Sequence, residues 1–333
     1  MLSTTVLQRF WACNQKHQQL WLLPCSDISP ALHPVVGNKA LYMNSWRARL
    51  ILVFTRPTKM SGFCKLQGFC FSLMPHALDG QHALIAGGSG EMGFYSARAL
   101  VDVGCRVSLL ARGSEGLTTA ATRLINEVDG DVQTVTADLT HPATIRRAVD
   151  HAIDGFGKLD IVVYALRDDV YGAYDQLDPA RVQMSMNNLL IGAGNLMAAT
   201  LPAMQAAGHG HVVFVLGQDA MRGRPLSTAN CMILHGLVGM MRALAREVAE
   251  SGVVVNAISA GLLDTDRLAV EIDQIVAHTR RDRSAVRADL AAGNPQRRLI
   301  APTEVGEVLQ WLTDPGNRAV TGQVISVDGG ELS

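Results

Sequence analysis

The segment His82–Gly93, with the sequence HALIAGGSGEMG, constrains the fold more than any other part of the chain. The apolar run Ala83–Ala86 leads into a cluster of glycines, and an apolar pattern with helical spacing follows. This order predicts a buried strand, a tight turn and the start of a helix. Gly87 permits the turn, Gly90 lets a pyrophosphate approach the backbone, and Gly93 lets the helix pack on the strand. The first helical N–H groups would then bind phosphate, although glycines also mark ordinary strand-to-helix turns.

Beyond this turn, the chain alternates continuous apolar runs with segments of helical spacing. Continuous apolar strands are typical of a parallel sheet that helices cover on both faces. The sequence therefore predicts an α/β fold over residues 74–333, a doubly wound parallel sheet in a single Rossmann-type domain. The later predicted strands are 105–110, 132–136, 159–164, 211–216, 253–258 and 323–327, and the predicted helices include 142–156, 178–204, 226–251, 264–292 and 302–312.

The overall composition argues against several function classes. Apolar residues make up 48% of the 333 residues, which is ample for a core, and no uninterrupted apolar run is long enough to cross a membrane. The net charge of −1 argues against nucleic-acid binding. We therefore expect neither a nucleic-acid nor a membrane partner, and no paired cysteine spacing predicts a metal site.

Residues 1–73 differ in composition from the rest of the chain. They contain eight lysines and arginines, a single acid, Asp27, and four of the six cysteines, with no sustained helical or strand period. A basic, acid-poor segment is typical of an organellar transit peptide, and also of an extension upstream of a folded domain. We favour the second interpretation, in which 1–73 is disordered or peripheral and the domain begins at Met74. Cysteines without paired spacing or a secretory signal indicate a reduced, cytoplasmic location.

Two later stretches carry a resemblance to a known family: 236–265, GLVGMMRALAREVAESGVVVNAISAGLLDT, and the tail 321–330, TGQVISVDGG. With the order of elements over residues 78–333, they resemble the short-chain dehydrogenase/reductase family, in particular its 3-oxoacyl-carrier-protein reductases. The resemblance implies a Rossmann-type oxidoreductase that binds NADP(H) and forms a homodimer or homotetramer. It also implies a small-molecule substrate. This substrate is either a free molecule or an acyl group linked to a carrier protein or to CoA.

The resemblance also assigns residues to the cofactor. Arg112 follows the second predicted strand, where the 2′-phosphate of NADP(H) would lie, and no acid stands there to favour NAD(H), which remains the alternative. Asp138 matches the family's acid beside the adenine, with a strand-end cap as its alternative role. Glu91 favours the helix dipole but would repel pyrophosphate if it pointed inward. The implied cofactor-binding residues are Gly87, Ser89, Gly90, Met92, Gly93, Arg112, Asp138, Leu139 and Thr265.

The catalytic residues of the family do not carry over to this chain. The family uses Asn, Ser, Tyr and Lys, where the tyrosine donates the proton and the lysine lowers its pKa. The corresponding positions hold Leu189, Gly217, Asn230 and Leu234. The only lysine after residue 65 is Lys158, at the start of a predicted strand. The resemblance therefore implies the fold and the cofactor without the usual proton donor.

Other titratable side chains follow the predicted strand 159–164, at the edge of the sheet where a substrate would lie. Tyr164, Tyr171, Tyr174 and Asp168 are therefore the candidate catalytic residues, with Ser227 and Asn188 as hydrogen-bonding partners. A tyrosine is favoured over the aspartate because a phenol donates a proton while neutral. The alternative roles are loop packing for the tyrosines and solvation for the acid.

Three hypotheses follow for the activity. With Gly217, Asn230 and Leu234 as an expected floor, the pocket would be roomy and apolar. The first hypothesis is an NADP(H)-dependent oxidoreductase acting on a bulky apolar carbonyl, enone or imine; the second is a non-redox cyclase, isomerase or dehydratase; the third is an inactive cofactor-binding scaffold. A cluster of arginines would meet an acidic carrier protein or a phosphorylated substrate, or form a solvated helix face: Arg280, Arg281, Arg283 and Arg287.

Overall fold

The computed structural model describes residues 40–45, 48–53, 73–74 and 78–332. The chain divides into two units, Met1–Leu73 and Met74–Ser333. In the first unit, Ala40–Ser45 (β1) and Ala48–Val53 (β2) pair antiparallel, and a two-residue strand, Leu73–Met74 (β3), spans the boundary between the two units. These strands were not predicted. The other positions of 1–73 lie outside the described residues, and the peripheral role of this segment stays a prediction.

The second unit contains one seven-stranded sheet, in the order β10-β9-β8-β7-β4-β5-β6, and every pair of neighbouring strands is parallel. Its strands are His82–Ala86 (β4), Arg106–Ala111 (β5), Val132–Thr136 (β6), Ile161–Tyr164 (β7), Gly210–Gly217 (β8), Val253–Ala260 (β9) and Val324–Val327 (β10). Its helices are Glu91–Val101 (α1), Ser114–Val128 (α2), Pro142–Phe156 (α3), Pro179–Met186 (α4), Gly192–Ala207 (α5), Thr228–Glu247 (α6), Asp266–Thr279 (α7), Arg283–Ala292 (α8) and Pro302–Leu312 (α9).

Helices cover both faces of this sheet, as the continuous apolar strands predicted. On one face, α3, α5 and α6 pack against a core that includes Leu84, Val162 and Phe214. On the other face, α1, α2 and α9 pack against Ile85 and the neighbouring strand residues. The predicted doubly wound Rossmann-type domain is confirmed.

The strand order reverses direction at β4, which lies between β5 and β7. Ala86 at the end of β4 is aligned with Leu110 on β5 and with Tyr164 on β7. The chain leaves β4 toward β5 and β6, and then crosses to β7 on the other side. Ligands of such sheets bind at this reversal, outside the carboxyl ends of the strands.

Three helical predictions need correction. The predicted helix over 178–204 is interrupted by a π-helical segment, Asn187–Ile191, and continues as α5 to Ala207. The predicted helix over 264–292 is two helices, because Arg280 adopts a left-handed conformation with φ +56° that ends α7. Asp282 then caps α8 by accepting hydrogen bonds from the backbone N–H groups of Ser284 and Ala285. The predicted helix over 226–251 is shorter, and forms α6 alone.

The helical stretch Pro179–Ala207 is long and apolar enough, by composition, to cross a membrane. No such stretch was predicted from the sequence, because polar residues interrupt the apolar run. Its inner face packs on the sheet through residues such as Leu196 and Met204, as in a core helix of the same length.

Candidate functional site

A cleft of about 460 Å³ opens at the carboxyl ends of β4, β5, β6 and β7. The glycine turn forms one wall, and the segment after β7 together with the π-helical segment forms the other. Seven of the nine predicted cofactor-binding residues line it: Gly87, Ser89, Gly90, Met92, Arg112, Asp138 and Leu139. The structure therefore brings most of the predicted cofactor set into one cavity.

The glycine turn is a backbone cradle that no side chain could enter. Gly87 has φ +88°, and a Cβ on it would lie 2.6 Å from the carbonyl oxygen of Ala165. A Cβ on Gly93 would lie 2.1 Å from the carbonyl oxygen of Gly87, so α1 can pack on the turn only through glycine. Gly90 donates its N–H to the Gly87 carbonyl at 2.8 Å, which closes the turn ahead of α1. A narrow turn before a helix N-terminus fits a phosphate group.

Asp138 follows β6 and Arg112 follows β5. Both line the part of the cleft beyond the glycine turn, on the side away from β7. Asp138 accepts hydrogen bonds from the backbone N–H and the hydroxyl of Thr140 at 2.9 and 2.7 Å. Burial alone would raise the pKa of Asp138, but these two hydrogen bonds outweigh it and lower the pKa. Arg112 is exposed and has its guanidinium available to a phosphate monoester. Both residues stand where the resemblance implies the adenosine end of a dinucleotide.

Thr265 and Gly93 do not line the cleft. The hydroxyl of Thr265 caps α7 by accepting from the N–H of Leu268 at 3.3 Å, and the residue is buried. Thr265 therefore fixes the beginning of α7, the helix that borders the cleft beside Glu91.

Tyr164 is not a catalytic candidate in this structure, which corrects the prediction. Its side chain is fully buried, and its hydroxyl donates to the backbone carbonyl of Leu189 at 2.7 Å. Burial raises the pKa of Tyr164 strongly, so the phenol stays neutral. Leu189 lies within the π-helical segment, and its carbonyl also accepts the backbone N–H of Gly192. The hydroxyl of Tyr164 therefore ties the end of β7 to this segment, and Tyr164 does not line the cleft.

Asn230 belongs to a buried hydrogen-bond network. Its side-chain oxygen accepts from the backbone N–H of Val170 at 2.8 Å, and its NH₂ donates to the Ser227 hydroxyl at 3.2 Å. Ser227 in turn donates to the carboxylate of Asp219, which also pairs with Arg224. We call Asp219, Ser227, Asn230 and the Val170 amide the buried network. It fastens the loop after β7 to α6 and leaves no catalytic group exposed.

The expected pocket floor is also wrong, since Gly217, Asn230 and Leu234 do not line the cleft. Leu234 is half-buried and packs against the core between α6 and the sheet. The end of the cleft that follows β7 is instead polar, and Arg167, Asp168 and Asn188 line it there. The sequence could not show whether the expected floor residues or these polar residues line the cleft, because both groups come from segments that are brought together only in the folded chain.

Of the loop candidates, only Asp168 lines the cleft. Its carboxylate accepts hydrogen bonds from the guanidinium of Arg181 and, at 2.8 Å, from the NH₂ of Asn188. Tyr171 and Tyr174 are 51% and 56% exposed, and neither lines the cleft. The structure therefore brings Asp168 and Asn188 together, as acid and hydrogen-bonding partner, and leaves both tyrosines outside the lining, with Tyr171 beside Arg167 at its edge.

The arginines after residue 279 are mostly paired within their own segment. Arg281 pairs with Asp289, Arg283 with Asp273, and Arg287 with Asp264. These are exposed pairs, and each neutralises a charge that an acidic partner would otherwise meet.

Two basic residues of the cleft were not among the predicted cofactor-binding residues. Arg167 follows β7 and pairs with Asp169, and Arg267 lies in the first turn of α7. The position of Arg267 two residues after the helix cap at Thr265 is the only sequence signal that could have indicated it.

Comparison with known proteins agrees with this architecture. A family model described as enoyl-(acyl carrier protein) reductase matches residues 87–331. The oxidoreductase UcpA of Escherichia coli strain K12 is 29% identical over 257 residues, which cover 76% of this chain and 95% of UcpA. The 3-oxoacyl-[acyl-carrier-protein] reductase FabG of Chlamydia trachomatis is 25% identical over 251 residues, covering 74% of this chain and 96% of FabG.

A solved structure is similar over the same region. The structure of an actinorhodin polyketide ketoreductase variant with NADPH has a TM-score of 0.71 and 27% identity, and the match covers 78% of this chain and 100% of that chain. The matched family model spans most of the Rossmann-type domain, including the glycine turn and the last strand. The chain therefore belongs to the short-chain dehydrogenase/reductase family.

Proposed function

We propose that this protein is an NADP(H)-binding oxidoreductase that transfers hydride to an enone, an imine or an activated carbonyl. The cleft is the observation that carries the proposal. It runs from Arg112 and Asp138, past the glycine cradle, to Asp168 and Asn188. The ketoreductase with NADPH, among the similar structures, supports the choice of cofactor.

The residues of the cleft fit a phosphorylated dinucleotide. Glycine at positions 87 and 93 lets the turn and α1 pack closely on the neighbouring backbone. The absence of side chains at Gly87 and Gly90, which line the cleft, lets a phosphate approach the backbone N–H groups. Arg112 would hold the 2′-phosphate through charge-assisted hydrogen bonds, and Asp138 would face the adenine. Bound NADPH supplies the hydride, and the chain's own residues position and polarise the substrate.

Proton supply is the weak part of this active site. Asp168 receives hydrogen bonds from Arg181 and Asn188, which suits a carboxylate and not a proton donor. Among the described residues, no tyrosine lines the cleft: Tyr164 is buried, and Tyr171 and Tyr174 are not part of the lining, although Tyr171 contacts Arg167 at its edge. Enones and imines need less acid assistance than simple ketones, which favours these substrates. The sequence predicted a bulky apolar substrate because it predicted an apolar pocket floor. The end of the cleft that follows β7 is polar, so this reason for an apolar substrate no longer holds.

A second function, a cofactor-binding scaffold without catalysis, is favoured by the buried network. The positions that carry the family's serine and tyrosine chemistry are here replaced or hydrogen-bonded internally. Such a protein would bind NADP(H) and act through its conformation or its partners, which could include further copies of the chain.

Nucleotide binding tests the first step shared by both functions. We expect the full-length protein to enhance NADPH fluorescence, and Arg112→Ala to weaken NADPH binding by about ten- to a hundredfold while NADH binding is unchanged. The matched control is Arg123→Ala, an exposed arginine of α2 that pairs with Glu127 away from the cleft. Equal NADPH affinity in the Arg112 variant would show that the 2′-phosphate lies elsewhere.

Turnover then separates the two functions. Consumption of NADPH in the presence of enone or imine substrates is expected for the oxidoreductase. Tight NADPH binding without consumption across enones, imines and ketones would refute the oxidoreductase and leave the scaffold.

A further inference from the structure

Glu91 creates an electrostatic problem at the phosphate end of the cleft. It is the first residue of α1, it lines the cleft, and it follows the glycine turn directly. A carboxylate at this position would repel the two negative charges of a pyrophosphate, at the helix terminus that should attract them. A compensating positive charge is therefore needed nearby if the turn binds a dinucleotide.

The first turn of α7 lies against Glu91 from the other side of the cleft. One carboxylate oxygen of Glu91 accepts the backbone N–H of Arg267 at 3.3 Å, although the two residues are 176 positions apart. The neighbouring amide, that of Leu268, is satisfied by Thr265. Glu91 therefore holds the beginning of α7 beside the glycine turn, and its carboxylate is directed toward that helix.

This contact brings the Arg267 guanidinium into the cleft. The side chain is 55% exposed, and its nearest carboxylate is that of Asp169, at 3.9 Å. Asp169 is already engaged at closer range by the guanidinium of Arg167. Of the cleft's three arginines, Arg112 stands at the adenosine end and Arg167 is tightly paired. Arg267 is thus the loosely paired cation near the turn.

We propose that Arg267 is a cofactor-binding residue that pairs with the pyrophosphate and offsets the charge of Glu91. This inference rests on the proposed binding of NADP(H). Arg267 exchanges the loose contact with Asp169 for a contact with the phosphate oxygens. A guanidinium suits this role because it can donate two parallel hydrogen bonds to adjacent oxygens. The glycine turn and α7 then hold the pyrophosphate from two sides.

The test measures nucleotide binding by full-length variants, without any turnover. Arg267→Gln removes the charge but keeps the backbone N–H that Glu91 accepts. We expect NADPH and NADP⁺ to bind about ten- to a hundredfold more weakly to it, and 2′-AMP, which has no pyrophosphate, to bind as to the wild type. The matched control is Arg280→Gln, at the other end of α7, which should leave all three affinities unchanged.

Charge compensation gives a second and independent readout. Glu91→Gln keeps an oxygen for the Arg267 N–H and removes the negative charge, so we expect it to tighten NADPH binding. In the Arg267→Gln background, the same change should recover much of the lost affinity. Arg267→Lys should retain part of the affinity, since it keeps the charge but not the paired hydrogen bonds. Thermal melting of each variant verifies that it is folded.

The outcomes distinguish this inference from the proposed function. Wild-type protein that binds NADPH, with Arg267→Gln folded and equally tight, would overturn the role of Arg267 alone. A loss of 2′-AMP binding equal to that of NADPH would also overturn it, because the contact would then lie at the adenosine end. Wild-type protein that binds none of the nucleotides would refute the proposed function and this inference together.

Discussion

The buried network makes a quantitative prediction for Asn230→Ala. This substitution leaves the N–H of Val170 without its hydrogen-bond acceptor in a position that is 5% exposed. An unsatisfied buried donor costs about 1–3 kcal/mol, and the lost hydrogen bond to Ser227 adds about 0.5–1.5 kcal/mol. We therefore expect the free energy of unfolding to fall by about 1.5–4.5 kcal/mol.

Urea denaturation of the full-length protein, followed by circular dichroism, measures this loss. The matched control is Asn187→Ala, an exposed asparagine that accepts one hydrogen bond from Gln183, and it should cost under about 0.5 kcal/mol. NADPH affinity at a temperature where both variants are folded should be unchanged, since Asn230 does not line the cleft. A stability loss equal to that of the control would refute the network, and a selective loss of turnover would return Asn230 to the catalytic residues.

Three further predictions concern the cofactor turn, the chemistry and the pH dependence. Gly87→Ala should abolish NADPH binding in a binding assay and lower the melting temperature, because its Cβ would lie 2.6 Å from a carbonyl oxygen in a turn with φ +88°; unchanged binding would contradict the cradle. Reduction of simple β-ketoacyl thioesters by NADPH should be slower than in the family by about 10²- to 10⁴-fold, the usual contribution of general acid catalysis; a family-like rate would refute the loss of the proton donor. Burial lowers the pKa of His82 and of His211. Below about pH 6.5, the unfolded chain therefore binds protons that the folded chain does not. The free energy of unfolding then falls by up to about 1.4 kcal/mol per pH unit for each histidine. Urea titrations between about pH 7.5 and 5.5 check this sign, and a flat profile would contradict it.

The sequence predicted the fold because its signals were local and repeated. The central strands β4, β7 and β8 contain continuous apolar runs, and α3 and α9 begin and end where the sequence placed them. The cofactor end of the cleft was predicted for the same reason, since the glycine turn, Arg112 and Asp138 each follow a strand directly. Parallel strands bring their carboxyl ends together, so adjacency to a strand is sufficient to place a residue at the cleft.

The catalytic end depends on contacts that no local pattern reveals. Tyr164 ends a strand at the correct edge, yet its side chain turns into the core and donates to a carbonyl of the π-helical segment. The amide of Val170 meets Asn230 across 60 positions of sequence, and Arg267 meets Glu91 across 176. Alternation along a strand places a side chain on a face, but it does not say which polar group that face must satisfy.

The two ends of the cleft therefore follow different physical requirements. The phosphate end depends on backbone shape, and a glycine turn with a helix behind it keeps that shape whatever side chains surround it. The catalytic end depends on side chains whose polar groups must be exposed to a substrate, and exposure is lost when a neighbouring buried group needs a partner. In this chain, the hydroxyl of Tyr164 donates a hydrogen bond to the Leu189 carbonyl, and the side-chain oxygen of Asn230 accepts one from the Val170 amide. Both hydrogen bonds stabilise the folded state, and each one keeps a polar side chain out of the cleft.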